Sequence, residues 1–78
     1  MRITKETLNA QVDLLNKYTN RTEGEKYYVF YENGYTNLAR EYGSGRATVS
    51  YGNTKGELSK QLSTVNAILS IEEERRRK

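Results

Sequence analysis

Residues 27–38 read Tyr27-Tyr28-Val29-Phe30-Tyr31-Glu32-Asn33-Gly34-Tyr35-Thr36-Asn37-Leu38, and the Asn33-Gly34 pair near their centre sets the architecture. A type I′ turn needs positive φ at both central residues, which Asn and Gly tolerate, and the flanking runs are aromatic and β-branched. The spacing predicts a hairpin with strands near 27–32 and 35–41. A two-residue turn places Tyr31 opposite Thr36, Val29 opposite Leu38 and Tyr27 opposite Arg40. Opposed residues share a face, so Tyr27, Val29, Tyr31 and Leu38 lie together. Tyr28, Phe30, Glu32, Tyr35, Asn37 and Ala39 take the other side.

Downstream, Gly43-Ser44-Gly45 predicts a second turn and Arg46–Tyr51 a third strand. There Ala47, Val49 and Tyr51 alternate with Arg46, Thr48 and Ser50, which puts Val49 and Tyr51 on the core side. Gly52-Asn53 is expected to end the sheet. Upstream, residues 4–18 read as a helix: Thr4 is an N-cap, Ile3 and Leu8 fit a hydrophobic staple, and Leu8, Val12, Leu15 and Tyr18 form the apolar stripe. Leu14 lies on its shoulder, and residues 19–26 form a polar loop. A last helix opens at Thr54, where Thr54-Lys55-Gly56-Glu57 is a capping box. Its stripe is Leu58, Leu62, Val65 and Leu69, widened by Ile68. Residues 71–78 continue as a charged helical tail, with Glu72, Glu73 and Glu74 four residues before Arg76, Arg77 and Lys78. The expectation is a single α+β domain over 1–78 of order α-β-β-β-α: a three-stranded antiparallel meander with two helices on one face.

Composition narrows the function. At 78 residues the chain buries roughly 60% of its unfolded surface. Leu, Ile, Val and Phe number 15 against seven Tyr, so tyrosines must complete the core or a partner must cover part of the surface; a homodimer is one such arrangement. There is no Cys and no His, which removes disulfides, thiolate metal sites and the commonest general base. No apolar run approaches the ~20 residues of a membrane span and no signal-peptide apolar region opens the chain, so no membrane partner and a cytosolic location are expected. Net charge is +3 with both signs mixed, which permits nucleic-acid contact without demanding it.

Catalytic patterns are weak. Ser44 in Gly-Ser-Gly has no His to activate it. Gly52-Asn53-Thr54-Lys55-Gly56 lacks phosphate-loop spacing and reads as a helix cap. Glu32 and Glu41 can share a face but read as solvated sheet edges. No enzyme activity and no cofactor are expected. With both helices on the Val29/Leu38/Val49 side, Tyr28, Phe30 and Tyr35 point away from the core beside Arg46. Clustered exposed aromatics with Arg mark partner-binding surfaces, so these four residues are the expected contact site. A nucleic-acid alternative uses the basic residues of the last helix and tail: Lys55, Lys60, Arg75, Arg76 and Arg77.

Two resemblances add to this. Ile3-Thr4-Lys5-Glu6-x-Leu8, Val12, Leu15-Asn16, Gly34-Tyr35, Leu38, Tyr42-Gly43 and Thr54-Lys55-Gly56-Glu57-Leu58 together resemble a family of small uncharacterised bacteriophage proteins, although that family has Tyr-Gly-Gly where this chain has Tyr42-Gly43-Ser44. The resemblance implies a phage accessory protein in a bacterial host cytosol. Many such proteins block a host protein or ribonucleoprotein complex, as anti-CRISPR proteins do, and some of those are similar in size and organisation. The α-β-β-β-α order also resembles double-stranded RNA-binding domains, which implies phosphate contacts from Lys55 and Lys60. The Gly-Pro-x-His pattern of those domains is missing here.

Overall fold

The structure, a computed structural model, describes residues 3–20 and 24–76. Its elements are α1 (Lys5–Tyr18), β1 (Tyr27–Glu32), β2 (Tyr35–Tyr42), β3 (Gly45–Asn53) and α2 (Lys55–Arg76). The α+β order is the one expected, with β1-β2-β3 an antiparallel meander. Asn33 and Gly34 both have positive φ, 52° and 79°, as a type I′ turn requires. The hairpin register matches the expected one: Tyr31 faces Thr36, Val29 faces Leu38 and Tyr27 faces Arg40.

Both helix starts follow from their caps. The Thr4 hydroxyl accepts the Thr7 amide, and Ile3 packs against the core beneath it. At α2 the Glu57 amide donates to the Thr54 hydroxyl at 3.1 Å, and the Thr54 amide donates back to the Glu57 carboxylate at 2.9 Å. This closes the capping box and commits the chain to a 22-residue helix, about 33 Å long.

The core is a single layer between helices and sheet. Leu8, Val12 and Leu15 of α1 meet Leu58 and Leu62 of α2 over Leu38, with Tyr27, Val29 and Leu69 at the margin. Both helices therefore lie on the Val29/Leu38 side. Polar side chains join the layers. Asn16 donates to the Tyr27 carbonyl and accepts the Tyr27 amide at 3.0 and 2.7 Å. Tyr27 lies on the edge strand, so one amide side chain closes a peptide unit that no strand reaches. The two helices are stitched by Gln11, whose side chain bonds the hydroxyl and carbonyl of Ser59 and whose carbonyl accepts from Asn66.

Two expectations are corrected. The β2–β3 register slips twice, between Thr36 and Leu38 and between Leu38 and Ala39. The slips put Ser50, rather than Val49, opposite Leu38, and β3 continues to Asn53 instead of ending at Tyr51. Val49 and Tyr51 are both more than half exposed. In α2 the buried arc runs through Leu58, Ser59, Leu62 and Asn66, leaving Val65 and Ile68 exposed. The reason is that α2 leans on α1 through Ser59 and Asn66, so its stripe turns toward the neighbouring helix. Of the expected charged tail, residues up to Arg76 are helical; Arg77 and Lys78 lie outside the described residues.

Candidate functional site

The sheet face opposite the helices is built by alternation along three strands. β1 contributes Tyr28 and Phe30, β2 contributes Tyr35, Asn37 and Ala39, and β3 contributes Arg46 and Thr48, which pairs with Ala39. The rings of Tyr28 and Phe30 are 6.2 Å apart and tilted by 47°, a favourable aromatic geometry. The Arg46 guanidinium lies 5.5 Å from the Phe30 ring centroid, within cation–π range, and its Nη1 makes a long 3.5 Å contact to the Tyr28 hydroxyl. That hydrogen bond above all, with the charge of the same phenol and of Glu32, holds the Arg46 guanidinium above its ordinary value. The group stays cationic at any physiological pH.

Beneath these rings Asn37 and Ala39 are almost wholly buried, although no helix covers them. Phe30 stands directly opposite Asn37, and Tyr28 opposite Ala39. Asn37 is held by three contacts: its carboxamide oxygen accepts the Gly52 amide at 2.7 Å, and its nitrogen reaches the carbonyls of Phe30 and Tyr35. The Gly52 amide sits where the register slips, with φ 78°, and the Asn37 side chain replaces the ladder bond lost there.

The slip also moves an aromatic residue. The Ser50 hydroxyl donates to Gln61 of α2 at 2.7 Å, so Ser50 faces the helices. Asn53 donates to Ser50 and accepts from Gln61, which closes a ring of three hydrogen bonds between β3 and α2. Tyr51 and Gly52 lie within the slip opposite Asn37, between Ser50 and Asn53, and Tyr51 is more than half exposed, where strict alternation from Ala47 had assigned it to the core. Its only sequence signal is Gly52, a residue that often marks a bulge inside a strand pattern.

Tyr28, Phe30 and Arg46 are thus brought together, while Tyr35 stands at the hairpin end, about half exposed. The basic residues of the nucleic-acid alternative are not brought together. Lys55 and Arg76 occupy the two ends of the 22-residue α2. Lys55 and Lys60 are about 140° apart around its axis. Arg77 lies outside the described residues. Glu32 and Glu41 do not form a carboxylate pair: Glu32 faces Tyr35, six residues and about 20 Å along β2 from Glu41. Glu41 is instead opposite Arg46. Among the described residues no three His, Cys, Asp or Glu side chains converge into a metal site, and no helix is long and apolar enough to cross a membrane.

Comparison with protein-family models, with curated proteins and with solved structures found no match.

Proposed function

We propose that this chain is a non-enzymatic binding protein that captures a protein partner on its outer sheet face. One observation carries the reading: the half-buried rings of Tyr28 and Phe30 and the exposed ring of Tyr35 share a sheet face with the cationic Arg46, and both helices pack on the opposite face. Tyr and Arg are the side chains that most often anchor protein interfaces, because each offers large area or several donors at low entropic cost. The strands hold these groups rigidly, so little order has to be imposed on binding. In line with the resemblance to small phage proteins, the partner is a host protein complex and binding blocks it.

Stacking of unpaired bases on the same rings is the competing use of such a face. A single arginine and the adjoining Glu32 and Glu41 offer little charge to phosphates, which favours a protein. The test is capture from bacterial lysate, with and without nuclease, on immobilised wild type, Arg46→Glu and Tyr35→Ala. A nuclease-resistant partner retained by wild type and lost by both variants, with each variant still folded by circular dichroism at the assay temperature, supports the reading. Capture that survives both substitutions places the contact elsewhere. A partner lost on nuclease treatment transfers the face to nucleic acid.

A further inference from the structure

We propose that the outward face of α2 pairs with the same face of a second copy of this chain, the two helices running antiparallel. Ile68 and Ile71 are more than half exposed, and Val65 is 42% exposed. None belongs to the core cluster. Three aliphatic residues within two turns of one helix form a stripe rather than scattered exceptions.

The spacing says how the stripe is used. Ile68 and Ile71 are the two aliphatic members of the series Glu57, Gln61, Thr64, Ile68, Ile71 and Arg75, which recurs at the alternating intervals of four and three along which two helices meet. Reversing a second helix about the level of residue 66 sets Ile68 against Thr64 of the second copy and Ile71 at the level of its Gln61, whose amide stays on Ser50 and Asn53 of its own sheet. The same operation sets Glu57 against Arg75 of the second copy, once at each end, as a two-fold axis requires. On the flank, Lys60 comes beside Glu74 of the second copy, again twice. A parallel pairing would instead stack Glu57 on Glu57 and Arg75 on Arg75, and would set Lys60 beside Val65 in place of Glu74. Charge therefore selects the antiparallel arrangement.

The pairing uses α2 and leaves the aromatic sheet face free, so it does not depend on the reading of that face.

Sedimentation equilibrium of the full chain at micromolar concentrations tests the proposal. Wild type is expected to sediment as a species of twice 9.0 kDa. Lys60→Glu should weaken association about tenfold, because the two-fold repeats each lost pair. Adding Glu74→Lys to Lys60→Glu should restore association. The two positions lie 14 residues apart, about 21 Å along one helix, so rescue cannot arise within a single chain. Ile68→Asp should give a monomer. If that variant loses its helical circular dichroism, the charge-exchange pair decides alone. A monomeric wild type, or a double variant no tighter than Lys60→Glu, overturns the proposal.

Discussion

At the scale of single residues, several side chains do what backbone usually does. Asn37 supplies the acceptor that the Gly52 amide loses at the register slip. Asn16 supplies both partners for the edge peptide of Tyr27. Replacing Asn37 by Leu keeps the volume and strands a buried donor, so it should lower stability by about 1–3 kcal/mol, read as a shift in the urea midpoint at unchanged slope. Arg46 is the contrary case. It is exposed, so Arg46→Glu should cost only about 1 kcal/mol in the urea midpoint, from the lost ring contact and the like charge of Glu41 opposite, while removing partner capture. In the sequence Asn37 reads as an ordinary polar residue on the solvent side. Nothing in its neighbours reveals that it is buried, because burial there comes from the rings opposite it and from the slip.

At the scale of elements, legibility follows the locality of the signal. The hairpin, both caps and the face of Tyr28 and Phe30 were readable because each depends on two to four adjacent residues: Asn33-Gly34, Thr4 with Thr7, Thr54 with Glu57. The phase of β3 was not readable, since Ala47, Val49 and Tyr51 alternate cleanly and a slip against β2 is a tertiary event. The direction of the α2 stripe was lost for a similar reason: Asn66 and Ser59 face α1 through polar contacts that hydrophobic periodicity ignores. Two measurements bear on this. Gly34→Ala forces a side chain into φ 79° and should cost about 1 kcal/mol or more in thermal unfolding. Asn66 buries its Oδ1 with no hydrogen-bond partner among the described residues, so Asn66→Leu should raise the urea midpoint, by the equivalent of about 1 kcal/mol. An Asn retained at that cost fits a residue that fixes how α1 and α2 register.

At the scale of the whole molecule, two layers make a plate of 45 × 37 × 17 Å. A two-layer plate has one sealed interior and two outer surfaces, the bare sheet and the outer side of the helices. Here the bare sheet carries the rings and α2 carries the aliphatic stripe, so the two surfaces divide two tasks. If α2 pairs as proposed, each dimer presents two aromatic faces. Binding to a densely immobilised partner should then be stronger than binding to the same partner in solution, and Ile68→Asp should abolish that difference without changing the solution affinity. Surface plasmon resonance at high and low partner density reads it directly.

The hairpin sorts its rings so that Phe30 belongs to the bare face. Nuclear Overhauser contacts from the Phe30 ring test it most directly. Cross-peaks are expected to the ring of Tyr28 and the side chain of Arg46, and none to the methyls of Leu8, Leu58 or Leu62. Cross-peaks from Phe30 to those leucine methyls would place it under the helices and overturn the assignment of the bare face.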